Sequence, residues 1–113
     1  LHHHRIRISV RRRVRAEEGR FVSEVRRTCT IVNQRGLHAR ASAKFVNAVA
    51  ALPDGCTVRV AKDGNEAVGG SILGLMMLGA ARGDKVDVIV SGEGAESVLD
   101  QLCAMIDDGF GED

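Results

Sequence analysis

From residue 28 onward the apolar residues change their period at short intervals, from two to about 3.6 and back, and a chain with that alternation must fold as short strands mixed with short helices. Thr28-Cys29-Thr30-Ile31-Val32 is rich in β-branched residues and stops at Asn33-Gln34-Arg35-Gly36, which reads as a strand and a turn. Residues 39–52 then gather Ser42, Phe45, Val46, Val49 and Leu52 on one helical face, and Pro53-Asp54-Gly55 ends the run. Residues 56–61 alternate again, Lys62-Asp63-Gly64-Asn65 supplies a turn, and Glu66-Ala67-Val68 pairs back as a short hairpin partner. After Gly69-Gly70, Ser71 caps a short helix over 72–78 that Gly79 closes. Residues 85–90 form another strand, and 95–106 a last helix with Val98, Leu99, Leu102 and Met105 or Ile106 on one face. The order β-α-β-β-α-β-α, with hairpin-like neighbours and segregated helices, favours an α+β sandwich: an antiparallel sheet covered on one face.

With 113 residues the chain suffices for one hydrophobic core and not for two. It has no Trp, no Tyr and three Phe, so that core must be built from Val, Ile, Leu, Met and Ala. Cys29, Cys56 and Cys103 are widely spaced and lack C-x-x-C pairing, a pattern that fits neither a disulfide framework nor a zinc site and points to a reducing compartment. No apolar run approaches the ~20 residues that cross a bilayer, and the charged N-terminus lacks an apolar signal core. The expectation is a cytoplasmic protein without membrane contact.

Charge divides the chain. Residues 1–27 carry nine Arg against Glu17, Glu18 and Glu24, a net +6; the remaining seven Lys and Arg face twelve Asp and Glu, a net −5. Little sustained periodicity runs through residues 1–26, apart from alternation at Arg5-Ile6-Arg7-Ile8 and around Phe21-Val22, so this segment reads as a flexible basic extension. Its His2-His3-His4 is either an adventitious metal binder or an expression tag. The folded domain is expected over 27–108, followed by a frayed tail, 109–113.

Chemistry concentrates in Arg35-Gly36-Leu37-His38-Ala39-Arg40-Ala41-Ser42, where a histidine stands at the junction of a turn and a helix. A helix start offers unpaired backbone N–H groups and the positive end of the macrodipole, so a phosphate attached to His38 there is favoured by the amides of Ala39 and Arg40. The guanidinium of Arg40 adds a permanent charge that can fork onto phosphate oxygens. Imidazole, with a pKa of roughly 6.5, keeps a nucleophilic nitrogen near neutral pH without a separate base.

Here the chain resembles the HPr family of the phosphotransferase system, whose signature G-[LM]-H-[TA]-R-P-A is matched by Gly36-Leu37-His38-Ala39-Arg40, with Ala41 in place of the usual Pro. The resemblance runs from about Arg27 to Asp108 and includes a second landmark, a serine opening a short apolar helix: Ser71-Ile72-Leu73-Gly74-Leu75-Met76-Met77-Leu78-Gly79. It implies an HPr-like open-faced sandwich, with a four-stranded antiparallel sheet and three helices on one face. It further implies that enzyme I, using phosphoenolpyruvate, phosphorylates Nδ1 of His38, and that the group passes to an EIIA-type acceptor. Ser71 would be the site of HPr kinase/phosphorylase. Ala, the best helix former, replaces Pro without harm to the helix, but leaves open whether the chain serves sugar uptake or the nitrogen-regulatory branch. Glu112-Asp113 receive no role from the resemblance.

Residues 68–81 contain no charge, and a short helix cannot bury all its sides, so some of Ile72, Leu73, Leu75, Met76 and Met77 are expected at the surface beside His38, with Ile72, Leu73 and Met76 as a partner-docking patch. The whole calls for neither a metal nor a cofactor and describes a monomeric phosphoryl carrier rather than a free-standing enzyme. Two other classes compete: a regulator whose state at His38 or Ser71 controls partner enzymes, and a nucleic-acid-binding module led by the basic arm. The second is weak, because the folded part is acidic and nearly devoid of aromatics for base stacking.

Overall fold

Strand β2 (Phe21–Thr30) shows why the sheet has one wet and one dry face. Val25 and Cys29 are fully buried, whereas Arg26 and Thr28 between them are exposed. The same alternation runs through β3 (Cys56–Lys62), with Val58 and Val60 inside, and through β5 (Lys85–Gly92), with Val86, Val88 and Val90 inside. The antiparallel register sets Val25 opposite Val90, Cys29 opposite Val86, and Val60 between Val88 and Ala67 of β4 (Asn65–Val68), so these side chains form one aliphatic surface. The computed structural model describes residues 9–15 and 21–112.

Three helices close that surface. Helix α1 (Ala39–Ala50) buries Ala41, Ser42 and Phe45; α2 (Ile72–Met77) buries Leu75; α3 (Ala95–Asp107) buries Val98, Leu99, Leu102, Cys103 and Ile106. Phe45 is the largest fully buried side chain, in a core that is aliphatic apart from Phe110 and the two cysteines Cys29 and Cys103. The architecture is the expected α+β open-faced sandwich.

Among the described residues the sheet has five strands rather than four, in the order β1-β2-β5-β3-β4. The added edge strand β1 (Val10–Arg15) pairs antiparallel with the first part of β2, Val10 opposite Arg26 and Arg15 opposite Phe21. Residues 10–15 and 21–26, expected as flexible extension, are therefore strand; His2-His3-His4 lies outside the described residues. A basic block is solvated when nothing opposes it, but here its arginines meet carboxylates: Arg11 donates to Glu96 of α3 at 3.0 Å and Arg27 to Asp100 of α3 at 2.6 Å, while Arg12 donates to Glu24 of the same segment at 2.8 Å.

Glu24 anchors this arrangement from the open face. Its carboxylate, 4% exposed, accepts from Arg12 Nε on β1 and from Arg59 Nη2 on β3, both at 2.8 Å. The Arg12 hydrogen bond, with the charges of Arg12, Arg59 and Arg26, holds its carboxyl below the ordinary range against the opposing effect of burial. A lowered folded-state pKa stabilises the fold above the unfolded value of about 4.3, and that contribution disappears as pH falls through the folded value. Because the two guanidiniums remain partly in water, Glu24→Gln is expected to cost only about 1–2 kcal/mol at pH 7. In urea titrations across pH, the wild-type advantage should shrink to nothing on acidification below the carboxylate range.

The C-terminal end also differs from expectation. Gly109–Gly111 forms a 3-10 turn in which Phe110 is buried, 3% exposed, with a left-handed φ of 58°. Residues 109–112 are held by an aromatic anchor rather than frayed, and this carries Glu112 back across the start of α1.

Candidate functional site

Gly36 brings the histidine into place. Its φ is +64°, and a Cβ there would run into the carbonyl oxygen of Ala80 and lie 2.8 Å from Ala81 Cα. This close approach lets Leu37 N–H donate to Ala80 O at 2.9 Å, clamping the turn before α1 onto the segment that leaves α2. Inside the turn, Gly36 N–H donates to Asn33 O at 3.2 Å and Asn33 Nδ2 returns a bond to Gly36 O at 2.8 Å.

His38 is the N-cap of α1, with extended backbone, and its carbonyl accepts the first helical bond, from Ser42 N–H at 2.9 Å. The amides of Ala39, Arg40 and Ala41 precede that bond and have no intrahelical acceptor. The His38 side chain makes no capping bond to them, and no acidic residue stands in the first turn. These positive ends are thus not already matched by a carboxylate of the helix itself.

The imidazole is engaged on its other side. Nε2 lies 2.7 Å from Oε2 of Glu112, and the ring is about a fifth exposed. Glu112 Oε1 accepts from Asn33 Nδ2 at 3.0 Å. That bond, then the one to His38 and the nearby Lys44 charge, hold the Glu112 carboxyl below its ordinary range. An ionised carboxylate only accepts hydrogen bonds, so Nε2 must carry the proton, and a neutral ring then has its lone pair on Nδ1. Lys44 Nζ secures the C-terminal turn by donating to Phe110 O at 2.8 Å.

Beside this pair lies a shallow cleft of about 400 Å³ lined by Gln34, Arg35, Arg40, Lys44, Gly111 and Glu112. Three cations face one carboxylate there, which suits an anion with more than one negative charge. The structure places His38 as the N-cap of α1 and Arg40 in the lining of the cleft beside Glu112. It adds Asn33, Lys44 and Glu112, which sequence reasoning missed. The available signal was Phe110, an aromatic between two glycines in an aromatic-poor chain, which marks an anchored turn rather than a loose end.

Ser71 is the N-cap of α2, its Oγ accepting from Gly74 N–H at 3.0 Å. Beyond it Ile72, Leu73, Met76 and Met77 are 41%, 67%, 39% and 77% exposed. Met77, left out of the expected docking trio, is the most exposed of the four. Among the described residues no helix is long and apolar enough to cross a membrane.

Comparison with known proteins agrees with this geometry. The family model for the PTS HPr component phosphorylation site matches residues 25–108. The chain is 40% identical over 84 residues to the phosphocarrier protein HPr of Pseudomonas aeruginosa, covering 74% of this chain and 91% of the relative. It is 33% identical over 91 residues to the phosphocarrier protein NPr of Shewanella violacea, covering 80% and 98%. The crystal structure of HPr-C-His from Thermoanaerobacter tengcongensis superposes with a TM-score of 0.72 at 33% identity, covering 78% of this chain and 97% of that one. A histidine at a helix start, an anion-ready cleft and a match spanning nearly the full length of these relatives lead to one conclusion: the chain belongs to the HPr family of phosphocarrier proteins of the phosphotransferase system.

Proposed function

We propose that Nδ1 of His38 accepts the phosphoryl group from phospho-enzyme I and passes it to an EIIA-type protein. The observation that carries this reading is the contact between Nε2 and the ionised Glu112, which leaves Nδ1 as the basic nitrogen of the ring. As the Nδ1–phosphorus bond forms and the donor–phosphorus bond breaks, the proton stays on Nε2 and the ring becomes cationic. Glu112 faces that developing positive charge and offsets it. The phosphoryl oxygens are met by the amides of Ala39 and Arg40 and by the Arg40 guanidinium. A phosphoramidate with a cationic ring as leaving group then transfers readily to the next acceptor.

The α2 patch of Ile72, Leu73, Met76 and Met77 serves as the surface on which enzyme I and the EIIA-type acceptor dock, since it follows directly from the segment clamped to the His38 turn. Ser71 is a regulatory site for HPr kinase/phosphorylase: a phosphate there sets a dianion at the edge of that apolar surface and opposes docking by desolvation and repulsion. The ion pairs that engage Arg11, Arg12 and Arg27 within the fold favour the carrier over a nucleic-acid-binding arm.

Incubation with phosphoenolpyruvate and enzyme I tests the central step. One acid-labile phosphoryl group per chain is expected, with the chemical shift of a 1-phosphohistidine and mapping to the peptide containing His38. A stable phosphoester, or phosphate at Nε2, would overturn it.

A further inference from the structure

Two of the three cysteines, 74 positions apart in the chain, meet inside the fold: Cys29 of β2 and Cys103 of α3 have their sulfurs 3.0 Å apart. Packed non-bonded carbon atoms keep roughly 3.5–4.0 Å, whereas a disulfide closes to about 2.0 Å. The pair therefore stands between contact and bond, and a sulfur movement of about 1 Å would join them. Both thiols are reduced and enclosed, 0% and 1% exposed. Arg27, two residues before Cys29 on the same strand, bonds Asp100 of α3 at 2.6 Å and lies within electrostatic reach of Cys103.

Cys56 is a poor rival. Its Sγ donates to Glu93 O at 2.8 Å rather than meeting another sulfur. A metal does not account for the pair either, because the described residues contain no group of three or more His, Cys, Asp or Glu placed to hold one.

We infer that Cys29 and Cys103 form a reversible dithiol–disulfide site that staples β2 to α3. With hydrogen peroxide, one thiolate attacks an oxygen, becomes a sulfenic acid and releases water once a proton is taken up; the second thiol then displaces a second water as the S–S bond forms. Two electrons pass from the sulfurs to one peroxide, and two thiols become one disulfide. With a small-molecule disulfide as oxidant, two equivalents of its thiol are released instead. Because both sulfurs are enclosed, the reaction proceeds only as fast as α3 opens from the sheet. The closed loop holds His38 and Ser71, so the staple confines the carrier's working segment in the unfolded chain and stabilises the oxidised form.

The test uses the full chain carrying Cys56→Ala, a partly exposed position, so that Cys29 and Cys103 remain intact and no core substitution is needed. After a modest excess of hydrogen peroxide, followed by denaturation and maleimide labelling, the expected product takes up no label and is lighter by two hydrogens. Digestion should yield the Cys29 and Cys103 peptides linked within one chain. Its Tm should lie about 10 °C above that of the reduced protein and fall back on treatment with dithiothreitol. Two labelled thiols after the oxidant, or linkage only between chains, would overturn the site; an intramolecular bond that left Tm unchanged or lowered it would overturn the staple.

Discussion

His38→Ala is expected to abolish phosphoryl acceptance from enzyme I, while Glu112→Gln slows it by roughly 10- to 100-fold, the loss of one charge-assisted hydrogen bond at the reacting ring. The two substitutions separate the nucleophile from the group that orients it. Without His38 no side chain at the start of α1 offers a lone pair at neutral pH, since Ser42 Oγ is buried and turned toward Leu37 O at 3.3 Å. Glutamine keeps the size of Glu112 and can still accept from Nε2–H, but it cannot offset the positive ring formed during transfer. The check is a stopped-flow or quenched assay of phosphoryl uptake with phosphoenolpyruvate and enzyme I, run with thermal melts. Uptake by His38→Ala at any site with the wild-type rate would end the proposal for His38. Unchanged rates in Glu112→Gln would limit the carboxylate to holding the C-terminal turn.

Leu73→Glu is expected to weaken docking of enzyme I and of the EIIA-type acceptor by about 100-fold, with Tm changed by no more than a degree or two. Leu73 is 67% exposed, so a charge there meets water in the free protein and costs the fold little. In a complex the same carboxylate would be desolvated against apolar surface, a penalty of the order of 2–4 kcal/mol at an interface hot spot. Leu75, two positions on and fully buried, is the internal contrast: Leu75→Glu should unfold the protein instead. Titration calorimetry with each partner, alongside melts of both variants, measures the difference. Wild-type affinity in Leu73→Glu would move the docking surface elsewhere.

Much of the fold was legible because it is local. The alternation of Val58, Val60, Val86, Val88 and Val90, the helical spacing of Phe45 with its neighbours, and the cap at Ser71 each depend on residues a few positions apart. The strand β1 was not legible, since Val10-Arg11-Arg12-Arg13-Val14-Arg15 becomes a strand only when Glu24 and Glu96 stand opposite its arginines. The meeting of Cys29 with Cys103 was hidden for the same reason, because cysteines without local spacing carry no sign of their partner.

At the site the division follows the same line. That His38, Arg40 and the open amides of α1 are neighbours was determined by the sequence alone, because a turn ending in glycine followed by a helix places all three within one turn of backbone. Which nitrogen of His38 keeps its proton was decided only by tertiary structure: Glu112 reaches the ring because Phe110 is buried and Lys44 holds its carbonyl. Sequence patterns report what neighbouring residues prefer, whereas a contact across 74 positions exists only once the core has packed and set the two ends side by side.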